Sequence, residues 1–137
     1  ALLHALDELE KQGPLEAELV FLQCTSPFTT AAQIDAVLDA LNPAQCNSSF
    51  AVTPWHGFLW RADGRGINHD PEQPRQRRQD LEPAYLETGA IYAMVIEDFR
   101  NCGSRFCPPS FPVIFEQVSP EIDTPEDLAL CRSIAAR

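Results

Sequence analysis

Two acids stand two residues apart near the end of the chain, Glu121 and Asp123, just ahead of Thr124-Pro125-Glu126-Asp127. In an extended segment residues i and i+2 point to the same side, so these two would present paired carboxylates. One or two carboxylates completed by substrate phosphates is the usual way a protein holds Mg²⁺. The same pair also reads as solvated acids at a helix start. Gln23 closes the apolar run 18–23, and in open α/β sheets ligands sit outside the carboxyl ends of strands. Its amide both donates and accepts hydrogen bonds, although a polar strand end entering a turn has the same appearance. Arg75, Arg77 and Arg78 gather three of the ten basic residues in one loop. Guanidinium forks take carboxylates and phosphates bidentately; a solvent-facing loop that balances an acidic protein is the alternative. Tyr92 ends Gly89-Ala90-Ile91-Tyr92, where a strand tyrosine is ordinarily core with its hydroxyl satisfied by a neighbour. His4, His56 and His69 show no ligand spacing, and the chain contains neither a GxGxxG nor a Walker-type loop.

The elements that must position these residues follow from patterning. Leu2, Leu3, Leu6 and Leu9 have helical spacing, and Gly13-Pro14 stops it. The run 18–23 is continuous enough for a central parallel strand covered on both faces. Thr30 and Gln33 form a capping box, after which Ile34, Val37, Leu38 and Leu41 line one helix face up to Asn42-Pro43. With a further strand at 49–53 this makes a βαβ unit. Residues 58–61 and the neighbourhood of Ile67 flank Ala62-Asp63-Gly64-Arg65-Gly66, a hairpin turn. Residues 69–80 are polar, Pro-containing and basic, and read as an excursion from the core. A buried strand at 89–96, a short helix at 98–101 ending at Gly103, a Cys107-Pro108-Pro109 loop and a strand at 112–118 follow. Pro125 suits helix position N1, making Thr124 the cap and Asp127 its box partner. That leaves Asp123 free of the cap, in front of a helix over 125–136 with Leu128, Cys131, Ile134 and Ala135 available for its inner side.

Composition narrows the function classes. The 137 residues suit one domain, and at 45% apolar they can bury a core. A net charge of −10 with a single lysine offers no basic face for a phosphate backbone, so nucleic acid is excluded as a partner. No apolar run approaches the roughly 20 residues of a membrane span, and the first apolar stretch is broken by charges where a signal peptide would need continuity. Five cysteines without a CxxC leave an odd thiol and no metal-cluster spacing. The expectation is reduced, mostly buried thiols in a cytoplasmic protein.

Each signal is weak singly, but their order is specific. A strand ending Leu22-Gln23-Cys24-Thr25-Ser26-Pro27, a capped helix, Arg77-Arg78-Gln79-Asp80-Leu81 leading to Gly89-Ala90-Ile91-Tyr92, then the acidic segment from Glu121 to Leu130, resembles the acylneuraminate cytidylyltransferases, the CMP-sialic acid synthetases. The resemblance extends from about Ala1 to Ile134. It implies an α/β fold with a three-layer, nucleotide-diphospho-sugar-transferase-like (Rossmann-like) sheet, truncated at the N-terminus. One cytidylyltransferase-like domain over 1–137 would carry a dimerisation arm at about 56–86. The implied reaction is attack of a nonulosonic (sialic-type) sugar acid's anomeric hydroxyl on the α-phosphate of CTP, with release of pyrophosphate. By the same resemblance Gln23 lies beside the sugar acid, Arg78 meets its carboxylate, and Tyr92 lines its pocket. Arg77 and Thr88 belong to the same substrate-binding segment. Glu121 and Asp123 would hold Mg²⁺, with Asp123 and Gln23 the catalytic positions.

The departures from the family pattern carry their own expectations. The glycine-containing, Arg- and Lys-rich loop that cradles the triphosphate in such enzymes has no counterpart here. Cys24 replaces a proline, Thr88 stands where an asparagine is common, and no lysine occurs in 58–61. Without the cationic loop the triphosphate loses most of its compensating charge, so the isolated chain is expected to be inactive. The alternative is a non-catalytic protein of the same fold that binds an acidic sugar or a protein partner. A sheet lacking early strands would expose an edge that needs covering, which predicts a homodimer or higher oligomer.

Overall fold

The computed structural model describes residues 1–117 and 120–136. Helix α1 (Leu2–Glu10) leads to strand β1 (Glu18–Leu22), helix α2 (Ala31–Asp39) and strand β2 (Ser48–Trp55). A long excursion ends in a 3₁₀ turn (Arg78–Asp80) and feeds strand β3 (Ala84–Val95), helix α3 (Ile96–Cys102), strand β4 (Ser110–Ile114) and helix α4 (Pro125–Ala135). The strands form one mixed sheet in the order β1-β3-β2-β4. β3 runs antiparallel to both its neighbours, and β4 pairs parallel with β2.

This topology corrects the expectation for residues 18–23. β1 and β2 point the same way, as a βαβ unit requires, but β3 is inserted between them. Among the described residues β1 therefore pairs on one side only; Leu19, Val20 and Phe21 are half-buried, and Glu18 and Leu22 are exposed. An apolar run specifies a buried strand but not which strand lies beside it.

Alternation along β3 builds the three layers. Ile91 and Ala93 face α2 and pack with Val37, Leu41, Ala51 and the half-buried Val20. Tyr92 and Met94 face the other way, toward Leu6 of α1 and Phe99 of α3, with Phe21 and Phe50 from the flanking strands. The period of 2 in strands sends successive side chains to opposite faces, so one strand serves both cores. Buried hydroxyls between the layers are satisfied: Ser49 Oγ donates to the Val37 carbonyl at 2.6 Å, and Ser48 Oγ accepts from the Cys107 amide at 3.1 Å.

The helix ends follow their sequence signals. Thr30 accepts from the Gln33 amide and Thr124 from the Asp127 amide, each in a complete capping box, with Pro125 in the first turn. α3 ends at Gly103 with φ 66°, the left-handed conformation in which glycine carries no Cβ penalty. Three expectations differ. On α4 only Cys131 is buried, and Leu128 and Ile134 are exposed, because no described element covers that side. Cys102 and Cys107 are joined as a disulfide, since the turn at Gly103 brings their Cα atoms to 6.1 Å; Cys24, Cys46 and Cys131 remain free thiols. The strand expected over 112–118 is β4, beginning two residues earlier and ending at Ile114; Val118 lies outside the described residues.

The excursion 56–83 opens with the expected turn. Trp60 and Gly66 bridge antiparallel, the Arg61 amide bonds the Arg65 carbonyl at 2.8 Å, and Gly64 takes φ 86°. No helix among the described residues is long and apolar enough to cross a membrane.

Candidate functional site

The carboxyl end of β1 meets the segment before α4. The Gln23 amide donates to the Ala90 carbonyl at 3.1 Å, which extends the β1–β3 ladder by one residue and holds Gln23 beside Gly89. The chain then turns tightly, with the Ser26 amide on the Gln23 carbonyl at 3.2 Å. The amide of Ile122 donates to the Thr25 carbonyl at 2.8 Å, pinning residues 121–123 against that turn. Three segments distant in sequence converge here.

At their meeting point Glu121 is half-buried, and its Oε1 accepts from Ser26 Oγ at 3.2 Å. Ser26 is itself 5% exposed, so this is a buried hydroxyl with a carboxylate partner. Gly89 has φ 73°, and a Cβ there would overlap Glu121 Oε1 and lie 3.1 Å from Gln23 Nε2. Glycine is thus required twice at this position, for its backbone conformation and for the close approach of two polar side chains. Thr88 sits beside it: its hydroxyl donates to the Ala51 carbonyl at 3.2 Å, tying β3 to β2 where their register shifts.

Asp123 is exposed, and its carboxylate has no hydrogen-bond partner among the described residues. Its amide donates to Asp127 Oδ2, which also accepts from the amide and hydroxyl of Thr124. Those bonds from Thr124 hold the Asp127 carboxyl below the usual carboxylate range. Asp127 is therefore engaged in the helix cap, whereas Asp123 is available. Among the described residues no group of three or more His, Cys, Asp or Glu side chains gathers into a metal cluster.

Tyr92 is 1% exposed and stacks on Phe21, with ring centroids 6.0 Å apart. Its hydroxyl donates to Glu87, and the Arg105 guanidinium lies over its ring at 4.7 Å. Burial, then the hydrogen bond to Glu87, pushes the phenol up to about 12. Arg77 and Arg78 lie elsewhere. Arg77 is exposed and approaches Asp80 at 3.7 Å, and Arg78 lines a small hollow with Trp55, His56 and Asn68.

The structure thus brings Gln23 and Glu121 together around Gly89, with Thr88 adjacent, and sets the two arginines apart on the excursion. Three participants went unread in the sequence. Ser26 lies inside the segment Leu22-Gln23-Cys24-Thr25-Ser26-Pro27, three residues after Gln23, and its turn was the available signal. Glu87 and Arg105 gave none, because they reach Tyr92 through the strand and through the α3 turn.

The fold has a solved counterpart. Over 97% of its length the chain superposes, with a TM-score of 0.65, on 4-diphosphocytidyl-2C-methyl-D-erythritol synthase from Anaerococcus prevotii. It spans 65% of that protein, and 13% of residues are identical. At that identity the likeness establishes the nucleotide-diphospho-sugar-transferase-like α/β fold. No family model and no curated protein matches the sequence.

Proposed function

We propose that the chain forms the sugar-acid side of a cytidylyltransferase site, whose complete reaction transfers CMP from CTP to a nonulosonic (sialic-type) acid. The observation that carries this reading is the convergence of Gln23, Ser26 and Glu121 on Gly89 at the carboxyl end of β1. That is where open α/β sheets bind ligands, and it joins three of the segments on which the resemblance to CMP-sialic acid synthetases rests. The solved counterpart is named for a diphosphocytidyl product, which favours cytidylyl chemistry over other uses of the fold.

In this reading Gln23 hydrogen-bonds the sugar acid beside Thr88, and Arg77 and Arg78, set apart within one chain, would reach a sugar acid from the arm that packs against a second copy. Tyr92 supports the pocket wall from beneath, its hydroxyl held by Glu87. The anomeric oxygen forms a bond to the α-phosphorus of CTP, the bond to the bridging oxygen breaks, and the hydroxyl proton leaves as pyrophosphate departs. Asp123 and Glu121 suit Mg²⁺ by donor chemistry: two carboxylates, one unengaged, that substrate phosphates would complete. The ion would supply charge compensation at the phosphates. The arm at 56–86 presents Trp55 at its base, Ile67, Tyr85 and Leu86 as exposed apolar residues, the type of surface a second copy covers. A homodimer follows, and a strictly monomeric profile in light scattering across concentrations would count against it.

The experiment is ligand-observed NMR with N-acetylneuraminate, alongside pyrophosphate release from CTP with N-acetylneuraminate and Mg²⁺. Saturable sugar binding that weakens in Gln23→Ala is expected, with little or no turnover by these 137 residues alone. Absence of sugar binding would overturn the reading. Robust turnover would refute the need for a cationic phosphate loop; Asp123→Asn should then abolish it.

A further inference from the structure

The excursion carries a cavity that the proposed site does not use. About 420 Å³ in volume, it lies among Phe58, Trp60, His69, Gln73, Arg75 and Gln76. That volume is within the range of small-molecule sites. Its wall is aromatic: the His69 ring stands edge-on to Phe58 at 5.0 Å and to Trp60 at 4.5 Å. The Arg75 guanidinium stacks over Phe58 at 4.2 Å and forms no ion pair among the described residues.

The wall is held in place by its own bonds. Asn68 Oδ1 accepts from the Leu59 amide at 2.8 Å, and its amide nitrogen donates to the Gly57 carbonyl at 2.8 Å. Asn68 Oδ1 is an acceptor, so His69 Nδ1, 3.3 Å away, is the donor between them. His69 Nε2 is then a buried acceptor without a partner among the described residues, an atom that a carboxylate does not serve and that leaves recognition to Arg75 and the rings. Asp70, also on the rim, accepts from the Glu72 amide at 2.9 Å and is committed to its turn.

We infer that this cavity binds an aromatic monocarboxylate. The flat body stacks against Trp60 and Phe58, and the carboxylate takes the free fork of Arg75. Arg75 is the cation and Asp70 the anion on the rim, so a monocarboxylate seated on the guanidinium meets one opposing carboxylate, whereas a dianionic phosphate ester meets it with a second negative charge. A cationic aromatic would have to pair with Asp70, whose Oδ1 is engaged by the Glu72 amide, with Arg75 opposing it.

Isothermal titration of the whole chain with 2-naphthoate tests this, with 2-naphthyl phosphate and 2-naphthylmethylamine as charge controls. Saturable one-site binding of the carboxylate is expected, stronger than that of either control. Arg75→Gln should weaken it about tenfold, the scale of a lost charge-assisted hydrogen bond. Trp60→Ala should also weaken it, while Trp60→Phe retains it, and circular dichroism checks that each variant is folded. No saturation at millimolar ligand, equal affinity in Arg75→Gln, or tighter binding of the phosphate ester would each overturn the inference.

Discussion

The carboxylate of Glu121 and the Cα of Gly89 lie so close that only hydrogen fits between them. A residue near the C-terminus is thereby seated on the central antiparallel strand, with Gln23 of the β1 end on the same glycine. Gly89→Ala meets both a φ of 73° and an overlap with Glu121. It should destabilise the fold by about 1–3 kcal/mol, the scale of a residue forced into a sparsely populated backbone region. Urea unfolding measures this, and an unchanged midpoint would show that Glu121 moves aside freely.

Ser26→Ala removes the hydroxyl that donates to Glu121 and should cost about 0.5–1.5 kcal/mol. Glu121→Gln retains an acceptor for Ser26 and should cost less. The comparison, again by denaturant midpoint, separates a hydrogen-bonding role for Ser26 from simple packing.

Asp123 and Asp127 are close in sequence but opposite in expected effect. Asp127→Asn weakens the acceptor of the Asp123 and Thr124 amides and should lower the thermal midpoint. Its carboxyl is depressed in the folded chain, so its contribution is present above pH 3.8 and fades as pH falls through the folded value. Asp123→Asn should leave the midpoint unchanged. Thr124→Ala, which deletes the cap, should cost about 1 kcal/mol.

Tyr92 sets an alkaline limit. Its phenol is pushed up to about 12 from an ordinary 10.0, so the folded state holds its proton more tightly than the unfolded chain does. Its contribution is complete below pH 10 and is lost between pH 10 and about 12. Tyr92→Phe should remove that alkaline decline; the wild-type minus variant difference in phenolate absorbance reads the titration directly. A midpoint near 10 would contradict the burial and the Glu87 bond.

Local chemistry was legible in the sequence wherever a short pattern fixes it. The capping boxes at Thr30 and Thr124, the stop at Gly103, the turn through Gly64 and the buried strand through Tyr92 all depend on residues within one or two turns of each other. The candidate residues Gln23, Glu121 and Asp123 were legible as types at strand and helix ends. Tertiary structure alone decided their company. Insertion of β3 between β1 and β2 is a choice among strand pairings that leave the apolar pattern of each strand unchanged. That choice puts Gly89 beside Gln23, allows Glu121 to reach Ser26, and leaves β1 with a single neighbour among the described residues. Tyr92 gains a proton acceptor in Glu87 of its own strand and a cation in Arg105 beyond the α3 turn. Hydrophobic periodicity records which face of a strand is covered, whereas pairing order depends on how all the strands share the two cores.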